Sequence, residues 1–221
     1  AESLLREGAN VGLVARGQLQ LEQGIDELRE QYGEERVVGW QTNCADEVAL
    51  LELRQQITQR WKGLDGVIAN VGDGRSVPDA IPEAEQWSKV WHTNFETALN
   101  TARVFLPLLQ ESKGNILFIS SIAGLGAIGA PVDYSTAKTA VIAFAKNLAR
   151  KVAPEVRVNV IAPGNVNFTG SSWEEKIMTN PKKIEQMLQD KVPMNRFGTP
   201  QEIGDAAVFL CSARASFITG S

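Results

Sequence analysis

The chain has 221 residues, a formal net charge of −4 and a pI of about 5.2, with its 22 Lys and Arg scattered rather than gathered. Such a distribution lacks the basic stripe that binds nucleic acid, and no apolar run reaches the ~18–20 residues needed to cross a bilayer. Cys44 and Cys211 lie far apart in no CxxC pair, and His92 is the single histidine. Neither a disulfide scaffold nor a metal site is expected, His92 reads as a polar position on a helix flank, and a reducing compartment, the cytoplasm, is the default.

The chain opens AESLLREGANVGLVAR, an amphipathic helix running into a strand. A domain that starts inside a helix is expected to have lost its beginning. Short β-rich runs follow at 10–15, 36–40, 64–70, 115–120 and 156–162, and helical periodicity fills 18–32, 46–62, 84–110, 134–153 and 200–212. Gly or Pro marks most junctions, at Gly8, Gly33, Gly63, Gly114 and Pro154. Several strands are apolar throughout, which calls for burial on both faces. Strand–helix alternation with such strands predicts an α/β fold: a doubly wound, Rossmann-like parallel sheet in three α/β/α layers, forming one domain over 1–221. Ligands in such folds bind at the carboxyl edge of the strands. Residues 164–196 break the alternation. They are polar, contain Pro181 and Pro193, and read as a lid of at most two short helices.

Within this frame DYSTAK sets Tyr134 one helical turn before Lys138, and Ser121 closes the run ILFISS at the ligand edge. A nearby lysine favours phenolate and lowers a tyrosine's pKa, which suits proton exchange with a carbonyl or alcohol oxygen. A serine hydroxyl at the same edge can orient that oxygen. Tyr and Lys four apart are also common on ordinary helices, so the pair alone does not decide.

The arrangement of Ser121, Tyr134 and Lys138 in the context ISSIAG…DYSTAKTAV resembles the short-chain dehydrogenase/reductase family, and within it the 3-oxoacyl-carrier-protein reductases. Further motifs follow in the family's order: ANVG at 69–72, Asn94 in WHTNFET, APGNV at 162–166, and RFGTPQEIGDAAVFLCS with SFITG near the end. The resemblance implies an enzyme that moves hydride between a nicotinamide cofactor and a carbonyl or alcohol. Tyr134 would be the general acid/base. Lys138 would tune it and bind the nicotinamide ribose, Ser121 would hold the substrate oxygen, and Asn94 would bind a water linking Lys138 to solvent. Asn70, Val71 and Gly72 would line the adenosine side, with Asn43 and Cys44 near adenine, and Pro163, Gly164 and Val166 would border the nicotinamide.

Departures from the family pattern bear on specificity. The family's first strand and Gly-rich TGxxxGxG turn would precede Ala1, and a short strand would follow SFITG, so first and last strands are expected to be missing, leaving an exposed strand edge. The second strand of the pattern ends Ala15–Arg16 where NAD-selective relatives carry a carboxylate, so NADP(H) is expected in preference to NAD(H). Phe168 stands where a threonine is usual, with Thr169 next. Asn165, Phe168, Trp173 and Met178 would lie in or near the lid, with Asn165 and Trp173 on the substrate, a carbonyl compound of moderate size. Trp87, Trp91 and Phe95 recur at helical spacing as core or subunit interface. Relatives imply a homodimer or homotetramer joined through the helices at 84–110 and 134–153. The competing reading is a non-catalytic binding or assembly subunit on the same fold.

Overall fold

The computed structural model describes residues 1–221. The expected strands form as β1 (Val11–Ala15), β2 (Val37–Gln41), β3 (Gly66–Ala69), β4 (Asn115–Ile119) and β5 (Arg157–Ile161). Every pairing is parallel, from Val11↔Val37 to Ala15↔Gln41 between β1 and β2, and through β3–β4–β5 with Phe118 opposite both Ala69 and Val160. Ile, Leu and Phe fill β4 after Asn115, and Ile116, Leu117 and Phe118 are almost fully buried, as a strand covered on both faces requires.

The helices are α1 (Glu2–Arg6), α2 (Gln18–Tyr32), α3 (Glu47–Trp61), α4 (Ala84–Trp91), α5 (Thr97–Ser112), α6 (Val132–Val152), α7 (Ser172–Thr179), α8 (Pro181–Lys191) and α9 (Pro200–Cys211). On one face α3 packs on α5, and α4 with the turn after it (His92–Glu96) lies beside α6; on the other α1 joins α2 to α9. Caps fix several starts. Asp46 accepts from the Val48 and Ala49 amides at 2.9 and 3.2 Å, and Thr199 with Glu202 forms a capping box ahead of Pro200.

The sheet is in two sections. β1 pairs only with β2 and β3 only with β4. Between them runs an apolar cleft of about 450 Å³, lined among others by Leu13, Trp40, Val67, Ile68 and Ala207. The facing edges of β1 and β3 are therefore unpaired, in line with the expected exposed strand edge. At the other side Gly220 donates to Val158 O at 2.7 Å and Val160 to Ser221 O at 2.9 Å, so residues 220–221 run beside β5.

One helix differs from its sequence pattern. The continuous helix expected at 84–110 is broken by a π-helical turn, His92–Glu96, between α4 and α5. A π turn adds one residue while both flanks keep their apolar faces, so periodicity runs through it unseen. The aromatics of this stretch pack inward: Trp91 lies 4.7 Å from Phe95, Phe95 6.0 Å from Phe144, and Phe144 5.7 Å from Phe118. No helix is long and apolar enough to cross a membrane.

Candidate active site

The carboxyl end of β4 carries the chain into Ser121, and a single 3₁₀ turn, Ile122–Gly124, returns it towards α6. Ser120 is buried and donates to Lys138 O at 2.8 Å, while Lys138 Nζ donates to Ile119 O at 3.1 Å. These two bonds staple the strand end to α6. At Gly124 a Cβ would stand 2.7 Å from the Lys138 carbonyl carbon, so only glycine allows the approach. The Ser121 hydroxyl accepts from Ala123 N at 3.2 Å and stands near enough to the Tyr134 phenol to hold its pKa down. Ser121, Tyr134 and Lys138 are thus brought together.

Asn94 joins them through the π turn. It is 1 % exposed; its Oδ1 accepts from Asp73 N, and its Nδ2 donates to Asp73 O and Val90 O, each at 3.0 Å. Gly72 marks the meeting point: a Cβ there would lie 2.8 Å from Lys138 Nζ and 2.9 Å from Asn94 Oδ1. The lysine and the asparagine therefore converge on one spot beside the Gly72 backbone.

The electrostatics differ from the sequence expectation. Burial pushes the Tyr134 phenol up, the Ser121 hydroxyl offsets part of that rise, and the Asp73 carboxylate adds to it. The Lys138 ammonium stands 5.9 Å from the Tyr134 ring centroid, is directed to Ile119 O, and is itself pushed down to about 8 by burial.

The segment after β3 closes over the tyrosine and was not singled out by sequence reasoning. A Cβ on Gly74 would lie 3.7 Å from Tyr134 Cζ and 3.9 Å from its oxygen. Arg75 reaches across to Gly170 O at 3.2 Å and Glu175 Oε1 at 3.1 Å, with Asp73 3.6 Å from its other nitrogen. Ser76 donates at 2.5 Å to Asp133, a 2 % exposed carboxylate that also caps the Tyr134 amide at 2.7 Å. The one signal available was position: Asp73 to Ser76 directly follow ANVG.

The other expected residues divide into groups. Arg16, Asn43, Cys44, Val71 and Gly72 line one cleft of about 430 Å³ at the carboxyl ends of β1, β2 and β3, while Asn70 lines the apolar cleft between the sheet sections. Pro163 O accepts from Ile122 N at 3.0 Å, which sets Pro163 and Gly164 beside Ser121. Val166 bridges Gly198, and Asn165 O accepts from Gly198 N at 2.9 Å. Within 164–196 the structure has α7 and α8. Trp173 stacks 5.3 Å from Phe197 beneath Lys176, Phe168 is 54 % exposed and Met178 is 81 % exposed. The side-chain packing recorded for Trp173 is thus with α7 and Phe197, and Met178 faces outward. His92 is half-exposed, with Nε2 3.0 Å from Glu96.

A family model described as enoyl-(acyl carrier protein) reductase matches residues 1–221. The chain belongs to the short-chain dehydrogenase/reductase family. It is 30% identical over 224 residues to the 3-oxoacyl-[acyl-carrier-protein] reductase of Aquifex aeolicus, covering 100% of this chain and 87% of that protein. Among solved structures it is similar to the L-sorbose reductase of Gluconobacter frateurii complexed with NADPH and L-sorbose, with TM-score 0.91, 27% identity, and 100% and 86% of the two chains covered. An NAD⁺-bound xylitol dehydrogenase is similar at TM-score 0.90 and 25% identity, covering 99% and 88%. The protein is accordingly a short-chain dehydrogenase/reductase enzyme, on an oxidoreductase fold with parallel strands between helices.

Proposed function

We propose that this dehydrogenase/reductase interconverts a carbonyl compound of moderate size and its alcohol, using NADP(H), with Tyr134 as general acid/base. The observation that carries the reading is the convergence of Lys138 and Asn94 beside Gly72, with the Tyr134 ring next to Lys138 and the Ser121 hydroxyl acting on its phenol. The cleft at the strand ends fits a dinucleotide. It is lined by no carboxylate, it has Arg16 on its rim, and at Gly72 any side chain would collide with Lys138 and Asn94. The bound dinucleotide supplies or accepts the hydride.

The protein's own residues handle the proton. The Ser121 hydroxyl, at the carboxyl end of β4, orients the substrate oxygen next to the phenol. In reduction Tyr134 gives its proton to that oxygen, and in oxidation it takes it back. The raised phenol pKa keeps Tyr134 protonated at neutral pH, ready to donate. Lys138, pushed down to about 8 by burial, stands 5.9 Å from the ring centroid and can pass a proton onward. Both Asn94 amide protons are committed to carbonyls, so a relay water would use the remaining lone pair of Oδ1. Residues 164–196, tied to Arg75 across the tyrosine, act as the lid that excludes bulk water.

The test follows absorbance of added NADPH and NADH with a panel of carbonyl compounds, in wild type and Tyr134→Phe. The variant should lose about 10²–10⁴-fold in kcat while nucleotide affinity is retained. Equal turnover in the two proteins would sink the acid/base assignment. Failure of the wild type to bind either nucleotide would favour a non-catalytic subunit.

A further inference from the structure

The cleft at the ends of β1, β2 and β3 has two kinds of wall. One is strand ends, including Val14–Arg16 and 42–45; the other is formed by α4, the π turn and the start of α5, presenting Lys89, His92, Thr93 and Thr97. Three basic residues, Arg16, Lys89 and His92, line the cleft, and no Asp or Glu does.

They are not equivalent. His92 is held at both nitrogens, by Ser88 O at 2.8 Å and Glu96 at 3.0 Å, so its ring is committed to its own helix. Arg16 and Lys89 take part in none of the chain's ion pairs. Glu85 stands one turn before Lys89, where a partner would be expected, yet the two are not paired. Two unpaired cations lining one cleft, one from a strand end and one from a helix, with no Asp or Glu in its lining, favour a dianionic ligand group. A guanidinium can grip a phosphate through two donors, while an ammonium adds a mobile point charge from the other side.

We propose that Lys89 is a specificity-determining residue of the nucleotide cleft, completing with Arg16 a two-sided site for the 2′-phosphate of the adenosine ribose. This rests on the reading of the cleft as the site of a phosphorylated dinucleotide. Arg16 closes the site from the end of β1, and Lys89 closes it from α4. Because Lys89 is exposed on a helix surface, replacing it leaves the fold intact.

Binding of 2′,5′-ADP and of ADP to the full chain, measured by calorimetry in low and high salt, tests the proposal without turnover. Wild type should favour 2′,5′-ADP. Lys89→Met should lose about five- to tenfold in affinity for it, one charge-assisted contact's worth, and keep its affinity for ADP within about twofold. Lys89→Arg should restore the preference, and added salt should shrink it. Equal weakening of both ligands would overturn the proposal by moving Lys89 to the shared 5′-phosphate. No effect on either, with Arg16→Met abolishing the preference, would overturn it for Lys89 alone and leave the cofactor reading standing. Equal binding of the two ligands by wild type would overturn both.

Discussion

Lys138 is nearly buried, and its pKa falls from the usual 10.5 to about 8 because burial penalises the ammonium. Between those two values the unfolded chain holds a proton that the folded chain has released. Stability from this group therefore rises with pH through the window and is lowest below pH 8. Urea unfolding at pH 7.5 and pH 10 should find wild type gaining on the order of 2–3 kcal/mol relative to Lys138→Met, as about 1.36 kcal/mol per unit requires. Cys211, raised to about 11 by burial, moves stability the opposite way above its usual 9, but that contribution cancels between the two proteins. A pH-independent difference would mean that the ammonium is not desolvated. At this scale Ser121, Asn94, Tyr134 and Lys138 were all legible as letters at family spacing. The direction of the tyrosine's shift was not, because it depends on burial beneath Gly74 and on Asp73, and neither is a property of the Tyr-x-x-x-Lys spacing.

The link between Arg75 and α7 joins two elements that sequence distance keeps almost a hundred positions apart. Arg75 and Glu175 are half-exposed or more, so solvent screens the pair and it restrains 164–196 only weakly. Initial tryptic cleavage after Lys182 and Lys183 should accordingly rise about twofold in Glu175→Gln. The same rise should appear in wild type at high salt, and the double variant Arg75→Ala/Glu175→Gln should add little to the single ones. An unchanged cleavage rate in both would remove the ionic tie as a restraint. The polarity and prolines of 164–196 announced an insertion with two short helices, and α7 and α8 are there. What it packs against was hidden, since Arg75 lies in a loop without periodicity. The π turn was hidden for a related reason: one inserted residue leaves the apolar faces of α4 and α5 aligned.

Across the whole molecule the core centres on β4, where Phe118 is fully buried and meets Phe144 edge to face. Phe118→Ala should cost about 3–5 kcal/mol, and Phe118→Leu under about 1.5 kcal/mol, read as shifts in the urea midpoint at constant slope. A loss below about 1 kcal/mol for the alanine variant would mean that the site collapses around the missing ring. The sequence by itself determined the order of strands and helices and the parallel sheet, and it singled out four side chains that the fold brings close together. Those follow from apolar periodicity, Gly and Pro punctuation and a spaced motif, all of which are local along the chain. Only the tertiary structure decided that the sheet lies in two sections, that the Asp73–Ser76 loop lies against Tyr134, and that Lys89 and Arg16 line one cleft free of carboxylates. Those depend on which surfaces meet in space, and the burial, charge balance and close glycine contacts that result are set by neighbours remote in sequence.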